Sequence, residues 1–195
     1  MTSIETSAPG GLAPEVPDAR LAAAAEALRT HVRDVHDFPQ PGVVFKDITP
    51  LLATPAAFGA VIGALAGTAE RLGATVVACI EARGFLLAAP VADRIGAGLV
   101  PIRKQGKLPG RTVTESYALE YGTATLEMHA DAVGPGERVL IIDDVLATGG
   151  TAAAAANLLR HGGADVLGLA VLMELTFLAG RAQVPSLDVT TLLAI

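Results

Sequence analysis

One stretch of the chain, residues 138–151, limits the possible folds more than any other. Residues 139–142 are Val-Leu-Ile-Ile, which predicts a buried strand, and Asp143 and Asp144 follow directly. A short loop rich in Gly and Thr comes next, and a helix is predicted to begin at Thr151. Loops that join the carboxyl end of a strand to the N-terminus of a helix commonly bind phosphate. The stretch therefore predicts a strand–loop–helix unit of an α/β protein with an anion site at its turn.

The two carboxylates change the nature of the expected ligand. Paired negative charges at the mouth of the loop would repel a ligand that offers phosphate alone. They suit a ligand that also has neutral donors, such as two ribose hydroxyls, because ionised carboxylates only accept hydrogen bonds. The alternative is an ordinary turn with capping carboxylates, but two buried, unpaired Asp side chains would be costly. The glycine spacing fits neither a Walker loop nor a dinucleotide fingerprint, so we predict a ribose phosphate site.

Length and composition bound the class of protein. The 195 residues suffice for one domain, expected over residues 18–195 after a disordered leader, residues 1–17. The formal net charge of −6 argues against a general nucleic-acid binder, which needs a basic face. The single cysteine, Cys79, lies in an apolar run and is expected to be a buried thiol in a reducing compartment.

Neither a secretory signal nor a membrane span is expected. The uncharged residues 48–69 are long enough to cross a bilayer, but Pro50 and Pro55 interrupt them. We therefore interpret this run as a loop followed by a core helix. Together these features predict a cytoplasmic protein with no nucleic-acid and no membrane partner.

Apolar periodicity predicts helices and strands in alternation. Helices are expected over residues 18–35, 54–72, 84–95 and 151–161. Strands are expected over residues 43–45, 75–80, 98–102, 138–142, 166–172 and 187–193. Residues 103–115 are polar and predict a long loop, and the alternation over residues 117–128 predicts an exposed hairpin or edge strand. The order predicts an α/β fold with a twisted, mainly parallel sheet flanked by helices.

The sequence contains no recognisable metal-binding pattern. The four histidines, His31, His36, His129 and His161, lack the spacing of a ligand set, and there is no cysteine cluster. We therefore expect no metal ion to be held by the protein alone.

Residues 138–151 resemble the phosphoribosyl-pyrophosphate (PRPP) signature of the type I phosphoribosyltransferases. Four further stretches, residues 37–51, 81–85, 103–110 and 116–122, look like the adenine phosphoribosyltransferases of that family and occur in the expected order. The resemblance implies the type I phosphoribosyltransferase fold, with an N-terminal hood at about residues 18–50 and a mobile lid loop at about residues 103–125. It also implies conversion of adenine and PRPP to AMP and pyrophosphate, with Mg²⁺ bound mainly through PRPP or pyrophosphate, and a homodimer.

The resemblance also implies roles for individual residues. Ribose hydroxyls fall to Asp143 and Asp144, and the 5′-phosphate falls to Ala147, Thr148, Gly149, Gly150 and Thr151. The residues implied for pyrophosphate are Arg83, Arg103, Lys104 and Lys107. Those implied for adenine are Val44, Phe45, Lys46 and Val145, with Phe45 stacking on the ring. Glu120 is implied as the general acid/base at the purine N7, and Tyr121 as a neighbouring lid residue.

Several of these residues have simpler interpretations. Arg83 could be a surface residue, although a cation at a helix start is locally unfavourable unless an anion joins it. Phe45 could be plain core, and the basic residues 103–111 a solvated loop. Lys46 stands where the family leads us to expect Arg, which matters only if its side chain, rather than its backbone, acts at the site.

Two other functions remain open at this point. One is a transferase for another purine base, such as xanthine or guanine. The other is a regulatory protein that senses PRPP through the same loop.

Overall fold

A seven-stranded sheet forms the centre of the molecule in a computed structural model that describes residues 19–118 and 122–195. Its strand order is β5-β6-β4-β3-β7-β8-β9. The strands are β3 (Val76–Ile80), β4 (Gly98–Lys104), β5 (Thr112–Ala118), β6 (Thr123–His129), β7 (Arg138–Leu146), β8 (Asp165–Glu174) and β9 (Asp188–Ala194). Strands β4, β3, β7, β8 and β9 are mutually parallel. At one edge of the sheet, β6 is antiparallel to β4, and β5 is antiparallel to β6. This confirms the predicted mainly parallel sheet.

Helices cover both faces of the sheet. The helices are α1 (Ala19–His31), α2 (Thr49–Ala53), α3 (Pro55–Leu72), α4 (Arg83–Ile95) and α5 (Gly150–His161). Leu140 and Ile142 of β7 pack with α1 to α4, and Val139 and Ile141 pack with α5 on the opposite face. Side chains alternate between the faces of a strand, so both faces of β7 need apolar residues. This explains the continuous apolar run at residues 139–142.

The predicted boundaries of the long core helix are confirmed. Helix α3 begins at Pro55 and ends before Gly73, which adopts a left-handed conformation. Thr54 precedes α3 without capping it by its side chain, because its hydroxyl donates to the Pro50 carbonyl oxygen at 2.9 Å. That contact lies at the end of α2, a short helix where the sequence predicted only a loop.

The prediction of one helix over residues 18–35 is wrong at its C-terminal end. Helix α1 stops at His31, and β1 (Arg33–His36) pairs with β2 (Val44–Asp47) in a separate antiparallel hairpin. Two ion pairs join the strands, Arg33 with Asp47 and Lys46 with Asp34. Cross-strand partners so far apart in sequence are not visible in helical periodicity.

The long loop predicted over residues 103–115 is also wrong. Strand β4 extends through Lys104 and β5 begins at Thr112, so the connecting loop covers only residues 105–111. Within the described part of the chain, strand β5 pairs with β6 alone, so it can be polar and still form an edge strand. The predicted hairpin over residues 117–128 is confirmed, although its tip lies outside the described residues.

One smaller expectation, the burial of Cys79, is confirmed. Cys79 is buried, and burial raises the pKa of its thiol to about 12. Among the described residues, no helix has the length and apolar character needed to cross a membrane.

Candidate active site

The candidate site lies where the direction of chain winding changes within the sheet. From β3 the chain first adds β4 on one side and later β7 on the other, so the loops after β3 and β7 diverge. Open α/β sheets bind ligands in the crevice at such a point, outside the carboxyl ends of the strands. Here a cavity of about 280 Å³ is lined by residues that follow β3 and by the end of β7 and the loop after it.

This cavity brings together most of the residues predicted to bind the ribose phosphate. Its lining includes Asp143, Asp144, Ala147, Thr148, Gly149 and Thr151, and it also includes Arg83 and Lys104. Gly150 is the first residue of α5, between two lining residues. The first turn of α5 therefore borders the cavity, as expected for an anion site at a helix N-terminus.

The two carboxylates are held in different ways. Asp143 Oδ1 accepts the backbone N–H of Asp144 at 2.9 Å. Asp144 is 4 % exposed, and its Oδ2 lies 2.9 Å from Arg83 Nε. The N–H bond of this nitrogen does not point toward Oδ2, so Oδ2 accepts no well-formed hydrogen bond from the described part of the chain. An acceptor buried in this state is suited to a donor from a ligand.

Burial makes this carboxylate pair unfavourable when fully ionised. Burial and the neighbouring Asp144 charge raise the pKa of Asp143 well above its ordinary value. Burial also raises the pKa of Asp144, although the Arg83 guanidinium opposes that rise. Two adjacent carboxylates in a cleft with shifted pKa values are typical of a functional site.

Close backbone contacts fix the two loops that carry these groups. A Cβ on Gly84, in the first turn of α4, would lie 2.9 Å from the Ile142 carbonyl oxygen and 3.2 Å from Asp143 Oδ1. Gly149 has φ +88° and lies so near Gly180 that a Cβ would come within 2.3 Å of its carbonyl oxygen. Glycine is therefore required at both positions for the loops to approach Asp143 and to turn into α5.

An ion pair between buried Glu174 and half-exposed Arg181 supports the segment that carries Gly180. The Arg181 guanidinium donates to both oxygens of Glu174, from Nε to Oε1 at 2.8 Å and from Nη2 to Oε2 at 2.8 Å. Thr191 donates to the same carboxylate at 3.0 Å. These bonds hold residues 175–180 to β8 and β9, where they lie against the loop predicted to bind phosphate, residues 147–151 (the phosphate loop).

A second, smaller cavity adjoins the first. It measures about 140 Å³, and its lining contains all four residues predicted for adenine, Val44, Phe45, Lys46 and Val145, together with four others, Val43, Arg83, Asp144 and Leu175. Arg83 and Asp144 line both cavities, and the Arg83 guanidinium lies 4.8 Å from the centre of the Phe45 ring. A flat apolar group and a sugar phosphate could therefore occupy adjoining sites.

The side chain of Lys46 forms an ion pair within the β1–β2 hairpin. Its Nζ lies 2.7 Å from Asp34 Oδ1. Asp47 is bound by Arg33 instead, and this hydrogen bond and the Thr49 N–H lower the pKa of Asp47 to about 2. Lys46 is therefore not the residue that holds Asp47, and the substitution at this position leaves the hairpin paired.

The predicted pyrophosphate residues divide into two groups. Arg83 and Lys104 line the larger cavity. Arg103 donates to Glu81, at 3.3 Å from both Nε and Nη2, and to the Lys107 carbonyl oxygen at 2.9 Å. The Lys107 N–H in turn donates to Glu127 Oε1 at 2.7 Å. Neither Arg103 nor Lys107 lines the cavity in this conformation, and Glu120 and Tyr121 lie outside the described residues.

Sequence reasoning missed two residues of the site. Tyr117, on β5, lines the larger cavity, and Leu175, just after β8, lines the smaller one. Nothing in a local pattern marks either residue, because each reaches the site through a contact distant in sequence, Tyr117 with Thr151 and Leu175 with Leu146. In the described part of the chain, no group of three or more His, Cys, Asp or Glu is arranged to hold a metal ion.

Comparison with known proteins agrees with this arrangement. Residues 47–188 match the family model described as the phosphoribosyl transferase domain. Because that match covers most of the chain, the chain belongs to the phosphoribosyl transferase family.

Similarity to individual proteins narrows the assignment. The chain is 75 % identical over 175 residues to an adenine phosphoribosyltransferase from Parafrankia sp. (strain EAN1pec), covering 90 % of this chain and 95 % of the relative. The crystal structure of adenine phosphoribosyltransferase from Rhodothermus marinus is 50 % identical, with a TM-score of 0.85 and coverage of 89 % and 99 %. That from Saccharomyces cerevisiae, complexed with an imino-altritol bisphosphate and adenine, is 36 % identical, with a TM-score of 0.84 and coverage of 88 % and 99 %. Within the family, the chain groups with the adenine phosphoribosyltransferases.

Gly84→Ala is expected to damage the site more than the fold. Alanine normally favours a helix over glycine by about 1 kcal/mol, but here its Cβ must displace α4 from Ile142 and Asp143. We expect PRPP affinity, measured by calorimetric titration, to fall at least about tenfold. Gly59→Ala in α3 is the matched control, because a Cβ there meets nothing within 4 Å. Equal PRPP affinity of the two variants would contradict the proposed contact.

Asp143→Asn is expected to stabilise the free protein at neutral pH. The raised pKa means that the folded state binds more protons than the unfolded chain above about pH 4, so stability is lost as pH rises toward the raised value. The variant has no carboxyl group at this position and does not lose this stability, so its free energy of unfolding should exceed that of the parent protein at neutral pH. The difference should vanish below about pH 4. Urea unfolding over a pH series measures the difference, with the exposed Asp131→Asn as the control for charge. A pH-independent difference would disprove the explanation.

Proposed function

We propose that this protein transfers the phosphoribosyl group of PRPP to adenine, forming AMP and pyrophosphate. The observation that carries the proposal is the pair of adjoining cavities that share Arg83 and Asp144. One has the carboxylate pair and the helix N-terminus that suit a ribose phosphate, and the other has an aromatic ring that suits a base. The names of the similar proteins support the choice of adenine.

The ribose phosphate is proposed to bind in the larger cavity. Asp143 and Asp144 accept hydrogen bonds from the ribose hydroxyls, which supplies the donor that Asp144 Oδ2 lacks. The 5′-phosphate binds the backbone N–H groups and hydroxyls of residues 147–151. The N-terminal end of α5 stabilises its charge.

Adenine is proposed to bind in the smaller cavity. Phe45 and Val145 contact the faces of the base, and backbone groups of Val44 and Lys46 contact its edge. The pairing of Lys46 Nζ with Asp34 supports a backbone rather than a side-chain role for this residue. In the hood, residues 18–50, it is the β1–β2 hairpin that supplies this contact surface.

The pyrophosphate is proposed to leave toward Arg83, which follows β3, and Lys104, which is the last residue of β4. Displacement at ribose C1′ breaks its bond to the pyrophosphate oxygen, so negative charge develops on the leaving group. Arg83 and Lys104 stabilise that charge, and Arg103 and Lys107 join them when the lid, residues 103–125, closes. Glu120 is proposed as the general acid/base at N7 of adenine, with Tyr121 beside it.

Mg²⁺ is proposed to bind mainly through substrate oxygens. The oxygens of Asp143 and Asp144 are the hard ligands that Mg²⁺ accepts, and they lie in the same cavity. When bound, Mg²⁺ neutralises charge on the pyrophosphate. A homodimer and a cytoplasmic location complete the proposal.

A panel of bases tests the proposed function directly. We expect AMP and pyrophosphate to form from adenine with PRPP and Mg²⁺, and little product to form from hypoxanthine, guanine or xanthine. Pyrophosphate release is the measurement. Comparable rates on the 6-oxopurines would contradict the adenine assignment, and PRPP binding without any product would favour a sensor of PRPP.

Glu120→Ala is expected to lower kcat at least about tenfold, because acid–base catalysis typically contributes about 10²–10⁴. Glu120→Gln keeps the shape without the titrating group and should lose activity similarly. Glu115→Gln is the matched control on β5, since its amide can keep the contact with Asn157. An unchanged kcat in Glu120→Gln would remove Glu120 from the mechanism.

A further inference from the structure

Tyr117 occupies a position that the proposed mechanism does not use. It lies on β5, its side chain is half-buried, and it lines the larger cavity together with Thr148 and Thr151. Its hydroxyl lies 3.0 Å from Thr151 Oγ1, in the first turn of α5. The edge of the ring is so close to Gly150 that a Cβ there would lie 3.1 Å from Cδ2. The phenol is therefore seated directly on the phosphate loop.

The bond between the two hydroxyls leaves one donor unused. Each hydroxyl carries one hydrogen, and their mutual bond consumes only one of the two. The Tyr117 hydroxyl has no other partner among residues 19–118 and 122–195. Thr151 donates in this pair, so the hydrogen of the Tyr117 hydroxyl is available to an acceptor in the cavity.

The charges around the loop make such a donor important. Among the described residues, the cations that line this cavity are Arg83 and Lys104, and neither belongs to residues 147–151 or to α5. A phosphate at the N-terminus of α5 is therefore bound mainly by neutral donors. Each additional hydroxyl then supplies a charge-assisted hydrogen bond to the anion.

A second contact joins β5 to α5 outside the cavity. Asn157 Nδ2 of α5 donates to Glu115 Oε1 at 2.9 Å, two residues before Tyr117 on the same strand. Strand β5 is thus tied to α5 at two points, of which only the Tyr117 contact faces the cavity.

We propose that Tyr117 and Thr151 act together as a donor pair for the 5′-phosphate of the ribose phosphate ligand. The proposal rests on the proposed function, since it assumes that this loop binds that phosphate. It assigns Tyr117 to ground-state binding of phosphate, and not to proton transfer or base selection.

Tyr117→Phe tests this assignment, because it removes the hydroxyl and keeps the ring against Gly150. We expect the affinity for AMP and for ribose 5-phosphate to fall at least about tenfold, the lower end of what one hydrogen bond to a charged group contributes. The affinity for adenosine, which lacks the phosphate, should not change. In kinetics, KM for PRPP should rise while kcat stays within about twofold. Asn157→Ala is the control, since it breaks the neighbouring strand–helix contact and should leave all of these values unchanged.

A double-mutant cycle tests the pairing. Because the pair offers one outward hydrogen, Tyr117→Phe combined with Thr151→Val should cost little more AMP affinity than the more harmful single change. Additive losses would disprove the pair. Unchanged AMP affinity in Tyr117→Phe, or an equal loss for adenosine, would overturn the role of Tyr117 while leaving AMP synthesis by the parent protein intact. If the parent protein bound neither AMP nor ribose 5-phosphate, the phosphate loop and this proposal would both be wrong.

Discussion

The buried carboxylate pair at the end of β7 is the constraint on which the rest of the structure depends. Removing two adjacent charges from water is costly, and one ion pair with Arg83 does not fully compensate it. The raised pKa values of Asp143 and Asp144 express that cost. The fold remains stable despite this cost because the sheet behind the pair is apolar on both faces and well packed. Stability is thus lost locally where ligand hydroxyls are needed.

Holding the pair in place requires loops that come closer than side chains allow. Gly84 lets α4 approach β7, and Gly149 lets the phosphate loop rest against Gly180. The Glu174–Arg181 ion pair fixes the segment on which that loop rests. Arg83, at the start of α4, then reaches Asp144 and Phe45 at once, so one guanidinium links the sugar and base cavities.

The sequence predicted those parts of the site that are local along the chain. Residues 138–151 contain a strand, its carboxylates and a helix start in succession, so both the sheet and the ribose phosphate site could be predicted from them. The β1–β2 hairpin and strand β5 were missed because their stability comes from partners on a neighbouring strand, such as Lys46 with Asp34, 12 residues away. For the same reason the contact between Tyr117 and Thr151, 34 residues apart, gave no local signal.

The anchoring of residues 105–111 affects how the site can open. Glu127 is 3 % exposed and accepts the N–H groups of Lys107 and Leu108, both at 2.7 Å. Although burial raises the pKa of Glu127, these N–H donors lower it overall, so the carboxylate stays ionised and its hold on the loop is strong. Closure of the proposed lid, residues 103–125, must therefore either break these two hydrogen bonds or move the loop together with Glu127 before Lys107 can join the cations at the cavity. Amide hydrogens of residues held in this way should exchange more slowly than those of a free surface loop.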